Sequence, residues 1–157
     1  ESASEVVKAV RDRVHRPLLV KMAPVRVPEI ARACEAAGAD ALCLINTING
    51  MHLNVRTRKS MLSKPTGGVS GPAIHAIAVR MVWEAANAVK IPINGMGGVA
   101  TWEDAAEMIL AGATCVTVGT ASFYDPTAAA KIVDGLAAWA VEQGVSDIND
   151  LIGAAEC

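Results

Sequence analysis

Four short polar or glycine-rich sets stand where apolar runs end. Lys21 closes Leu18-Leu19-Val20, and Asn46-Thr47 closes Ala41–Ile45. Gly95-Met96-Gly97-Gly98 follows Ile91-Pro92-Ile93-Asn94, and Gly119-Thr120 follows Cys115–Val118. A lysine ammonium placed at a strand end can stabilise an anionic ring or intermediate; a solvated lysine is the plain alternative. Asparagine offers both a donor and an acceptor, which suits an amide or carboxylate ligand, and it also serves in turns. The Gly95–Gly98 turn lets a bound group approach the backbone closely. Thr101 follows as an N-cap, with Asp104 in the second place of a capping box. A strand, a glycine turn and a helix N-terminus together make an anion site, or else a tight turn that binds nothing. His15, His52 and His75 are scattered, and no Ser-His-Asp or metal-binding constellation is present.

The elements that must hold these sets alternate regularly. A helix is expected over Glu5–Val14, a strand over Leu18–Val20 and a helix over Glu29–Ala37 ending at Gly38. Next come a strand over Ala41–Ile45, a long polar loop with room for a small hairpin over Ile48–Lys64, and a second Gly-rich turn over Thr66–Gly71. Such a loop inside a compact domain is a lid or substrate loop. Pro72–Val89 reads as a long helix, Ile91–Asn94 as a strand and Glu103–Leu110 as a helix. Cys115–Val118 is a fourth strand, with helical segments over Thr127–Val141 and Asp147–Ala155.

The chain also repeats itself. Pro17 before one strand matches Pro92 within another, and Glu35-Ala36-Ala37-Gly38-Ala39-Asp40 matches Ile109-Leu110-Ala111-Gly112-Ala113-Thr114 at nearly the same offset. Apolar strands alternating with helices form a parallel sheet covered by helices. Four such units in 157 residues suggest a single domain, residues 1–157, forming the C-terminal half of a (β/α)8 barrel, whose full form needs about 250 residues. An open doubly wound sheet is the alternative. In a barrel the working residues lie at the C-terminal strand ends, and the last two strands commonly build a phosphate site. That places phosphate at Gly97, Gly98, Gly119 and Thr120.

Composition narrows the classes. Hydrophobic residues make up 52%, yet there is one Phe and one Tyr, so the core is aliphatic. The net charge of −2 and the lack of a basic block argue against nucleic acid. No apolar run is long enough to span a membrane. The four cysteines have no metal-ligand spacing and read as free thiols of a reducing cytosol, with Cys43 and Cys115 expected in the core.

Five segments together resemble the dihydroorotate dehydrogenases: Val20–Pro24, Leu44–Thr47, Gly67–Ile74, Gly95–Val99 and Val118–Phe123. The resemblance covers essentially the whole chain. It is strongest to the catalytic subunit of the cytosolic NAD-linked type, through the runs Ser70–Ile74 and Gly119–Pro126. It implies a barrel with FMN at its mouth, Lys21 beside the flavin ring near N1 and O2, and Ile45 and Gly71 lining the cofactor. Gly97, Gly98, Gly119 and Thr120 would hold the FMN phosphate, and Asn46 and Thr47 the pyrimidine. The implied reaction oxidises dihydroorotate to orotate in pyrimidine biosynthesis: a base removes the C5 proton and hydride passes from C6 to the flavin. The family's base, a cysteine on a loop after an earlier strand, has no match here and is expected upstream of Glu1. A homodimer and an electron-transfer subunit with FAD and an iron–sulfur cluster are the implied partners. A non-redox phosphate-binding barrel, a related FMN-dependent pyrimidine-degrading enzyme and a non-enzymatic half-barrel module remain competing readings.

Overall fold

Short apolar strands between helices settle into a single parallel sheet. The computed structural model describes residues 3–156; Glu1, Ser2 and Cys157 lie outside them. Strands β1 (Leu19–Lys21), β2 (Ala41–Leu44), β7 (Ile93–Met96) and β8 (Cys115–Thr117) stand in the order β1-β2-β7-β8, every pair parallel. This order follows the chain and has no point at which a doubly wound sheet would reverse. Right-handed crossovers between successive parallel neighbours carry the intervening helices to one side. Helices α1 (Ala3–Arg11), α2 (Val27–Ala36), α3 (His75–Ala86), α4 (Trp102–Leu110) and α6 (Ala128–Glu142) pack side by side in chain order. The buried core lies between sheet and helices, built on Leu42, Leu44, Ile93, Val82 and Met108. Gly95 admits α4 onto the sheet: a Cβ there would stand 3.1 Å from Met108 Sδ and 3.0 Å from Ala113 Cβ.

Strand alternation sends Lys21, Cys43, Asn94 and Cys115 to the opposite face, where the register aligns them in one row. Cys115 is therefore exposed rather than in the core as expected, because β8 is an edge strand and its residue faces away from the helices. Cys43, between two neighbouring strands, is buried as expected. Cys34 is on the buried face of α2, and burial pushes its thiol above the ordinary value.

Several boundaries move for identifiable reasons. The third sheet strand covers Ile93–Met96, not Ile91–Asn94. Pro92 cannot donate to a ladder and contributes only its carbonyl, to Leu42 N at 3.0 Å. The expected loop and the Gly-rich turn after it fold into two antiparallel ribbons: β3 (Ile48–Gly50) with β6 (Gly67–Val69), the latter inside the expected turn, and β4 (Leu53–Asn54) with β5 (Lys59–Ser60). The helix expected from Pro72 starts with a 3₁₀ turn, Pro72–Ile74, and α3 ends at Ala86. Only Ile148–Leu151 of the last expected segment is helical, as a 3₁₀ turn. A one-turn helix, α5 (Ala121–Tyr124), was not expected.

The capping box at α4 is present in full. Asp104 N donates to Thr101 Oγ1 at 3.3 Å, and Asp104 Oδ2 accepts from Thr101 N at 2.9 Å. Helix α6 crosses α4 at Gly135, where a Cβ would lie 2.4 Å from Trp102 Cγ. Gly135→Ala gains about 1 kcal/mol of helix propensity, but overpacking against a rigid indole costs about 1–3 kcal/mol. Trp102 is hemmed in by Trp139, with ring centroids 6.4 Å apart, so the clash should win. The variant should melt several degrees below the parent in a thermal unfolding scan.

Before α6, Asp125 accepts from Lys131 Nζ at 2.6 Å, from Thr127 Oγ1 at 2.6 Å and from Thr127 N at 2.9 Å. These bonds, the lysine's first, hold its carboxyl down at about 2, against an ordinary 3.8. A depressed folded-state value means the stabilisation is present above the ordinary value and is lost as pH falls toward the folded one. Asp125→Asn should therefore lower the melting temperature at neutral pH. The gap to the parent should close as pH drops from about 4 to about 2.

Candidate functional site

The C-terminal ends of the four sheet strands open into one cavity of about 300 Å³. Lys21 comes from the end of β1, Ile45, Asn46 and Thr47 from just beyond β2, and Gly97 and Gly98 from just beyond β7. Gly119 and Thr120 follow β8, and Gly71 precedes the Pro72–Ile74 turn. All nine residues singled out in the sequence thus line the same space. Backbone bonds carry the strand ends together into this mouth: Met22 N to Cys43 O at 2.9 Å, Asn46 N to Met22 O at 3.0 Å and Ile45 N to Met96 O at 2.8 Å.

One wall is a set of free donors. Among the described residues, the backbone N–H groups of Gly98, Gly119 and Thr120 meet no backbone acceptor within the protein. Unpaired backbone donors are costly away from water and mark a place for an acceptor. At Gly119 a Cβ would meet nothing within 4 Å, so space is open in front of this backbone. Gly97 and Gly98 are left-handed, with φ +132° and +74°. A Cβ on Gly98 would strike Gly71 O at 2.8 Å and His75 Cα at 2.9 Å. Only glycine fits that turn. A cluster of backbone donors of this kind suits an anion.

The opposite wall is polar and cationic. Lys21 is exposed and forms no ion pair among the described residues. Asn46 Oδ1 accepts from Thr47 N at 3.0 Å, which leaves its amide N–H₂ group to face a ligand. The β3–β6 ribbon presses on Thr47, since a Cβ at Gly68 would lie 2.3 Å from its Oγ1. The long segment thereby shapes the site rather than hanging over it as an open loop.

Sequence reading passed over several lining residues. Ser70 accepts from Thr120 Oγ1 at 2.9 Å and ties the Gly71 segment to the β8 turn. Thr117 donates to Asn94 Oδ1 at 2.9 Å on the floor. Their position just before or within recognised motifs was the available signal. His75, one of the three scattered histidines, is buried directly behind Gly97 and Gly98. His15 and His52 are exposed and line no part of this cavity.

Comparison with known proteins gives a consistent set. The dihydroorotate dehydrogenase family model matches residues 1–139. The chain is 51% identical over 156 residues to the dihydroorotate dehydrogenase B (NAD(+)) catalytic subunit of Trichlorobacter lovleyi, covering 98% of this chain and 51% of the relative. It is 49% identical over 156 residues to the protein of the same name from Porphyromonas gingivalis, with 98% and 51% covered. The chain spans about half the length of these curated relatives. The crystal structure of dihydroorotate dehydrogenase from Eimeria tenella in complex with ferulenol superposes with a TM-score of 0.74 at 29% identity, over 88% of this chain and 38% of that one.

Proposed function

The chain belongs to the dihydroorotate dehydrogenase family, and on that premise we propose that it forms the FMN-phosphate site and part of the pyrimidine site of an enzyme oxidising dihydroorotate to orotate. The observation that carries this is the convergence of three unpaired backbone N–H groups, one free lysine and one asparagine amide on a single cavity. In this reading the four parallel strands are the second half of a (β/α)8 barrel, and the sequential strand order supports it.

The residues divide the work. Gly97, Gly98, Gly119 and Thr120 bind the phosphate through backbone N–H groups and fix the cofactor's position. Ile45 and Gly71 line its path. The Lys21 ammonium holds developing negative charge on the ring side of the cavity, where a preorganised cation is most effective. Asn46 and Thr47 orient the pyrimidine. When bound, FMN supplies the hydride acceptor. In this reading the proton-abstracting cysteine comes from a part of the protein outside this chain. A cytoplasmic location, a homodimer and a separate electron-transfer subunit complete the proposal. The last is supported by the relatives' designation as catalytic subunits. Among the described residues no helix is long and apolar enough to cross a membrane.

The test is the flavin content of the complete gene product. Denaturing the purified protein should release one FMN per chain. Tight binding of a sugar phosphate with no flavin would turn the reading toward non-redox chemistry.

A further inference from the structure

Behind the phosphate turn sits a histidine that the proposed chemistry does not use. His75 opens α3, and its side chain is 10% exposed. Its Nδ1 lies 2.9 Å from the Gly97 carbonyl oxygen. A carbonyl only accepts, so Nδ1 carries the proton and donates. On the other side, Nε2 is buried without a hydrogen-bond partner. It faces α4, 3.7 Å from Asp104 Oδ1 and 3.5 Å from Glu107 Oε2. Asp104 in turn accepts, through Oδ2, from Ala100 N at 2.8 Å and Thr101 N at 2.9 Å. The segment Gly97–Thr101 is thus gripped at both ends, by the imidazole at Gly97 and by the Asp104 carboxylate at Ala100 and Thr101. The two grips meet where Nε2 faces Asp104. The close fit leaves no slack, because a Cβ on Gly98 would fall 2.7 Å from His75 Cβ.

We propose that His75 is a positioning residue for the phosphate cradle: its Nδ1–H pins the Gly97 carbonyl back from the cavity, which turns the Gly98 N–H of the same peptide unit toward the bound phosphate. The Gly97 carbonyl and the Gly98 N–H belong to one planar trans peptide unit and point in opposite directions, so fixing the carbonyl fixes that donor. This inference rests on the FMN reading above and assigns the preference for a phosphorylated flavin to a side chain that does not line the cavity.

The test compares FMN with riboflavin, which lacks the phosphate, on the complete protein carrying His75→Asn or His75→Gln. An asparagine amide nitrogen stands close to the place of Nδ1, and a glutamine amide nitrogen close to that of Nε2. Both variants remove the ring and keep a polar amide, so a merely structural role would affect them alike and would weaken both flavins together. His75→Gln should reduce the preference for FMN over riboflavin about tenfold, the cost of one buried hydrogen bond left unmade. His75→Asn should keep that preference within about threefold of the parent. Equal losses in the two variants, or no loss in either, overturn the role of His75. A parent protein that binds riboflavin as tightly as FMN, or binds neither, overturns the phosphate reading itself.

Discussion

Lys21→Ala should slow reduction of the bound flavin by dihydroorotate about 10²- to 10³-fold, while flavin binding weakens far less. The split follows from where the lysine stands. It ends β1 on the face away from the helices, on the wall of the cavity opposite the Gly97–Gly98 turn, and no carboxylate among the described residues neutralises it. In the proposed arrangement its charge is available to the ring end of the cofactor, the phosphate end being held by the Gly97–Gly98 turn. Stopped-flow absorbance under anaerobic conditions, with substrate saturating, reads the reductive step alone. Lys21→Arg keeps the charge but changes its shape and hydration, and should recover part of the rate. A Lys21→Ala protein that reduces its flavin at the parent rate removes the lysine from the mechanism.

Gly98→Ala should cost the protein its FMN, with affinity down by two orders of magnitude or more, on the order of 3 kcal/mol. Two separate penalties act. The backbone at φ +74° is strained for any residue with a Cβ. The new methyl would also meet Gly71 O at 2.8 Å and His75 Cα at 2.9 Å, both backbone atoms that cannot swing aside. Relief requires the turn to move, and the turn carries the donors proposed to hold the phosphate. Gly119→Ala is the contrasting case, because its Cβ meets nothing within 4 Å; it should fold normally and lose affinity only through the space taken from the ligand. Fluorescence titration of free FMN separates the two, with circular dichroism as the check that each variant is folded.

The parts of this site that could be read from the sequence share one physical property. Each sits where a short apolar run stops and a polar or glycine residue begins, and a parallel sheet gathers all such ends on one side. Lys21, Asn46, Gly97 and Gly119 were legible for that reason, as was the Thr101–Asp104 capping box, whose chemistry is local. What was hidden depends on contacts between distant segments. The β3–β6 and β4–β5 ribbons have strands of two or three residues with no alternating pattern, and pairing alone defines them. Cys115 looks like a core residue until the sheet order makes β8 an edge. His75 gains its place only when Gly97, at the end of β7, and Asp104, on α4, come to either side of its ring. Pro92 shifted a strand by two residues because the ladder needs an N–H that proline lacks.

The central claim is that this cavity serves a flavin that dihydroorotate reduces. The complete protein, loaded with FMN and kept free of oxygen, should lose its yellow absorbance on addition of dihydroorotate and form one orotate per flavin reduced. A flavin that stays oxidised in excess dihydroorotate, in a protein that holds FMN tightly, would contradict it.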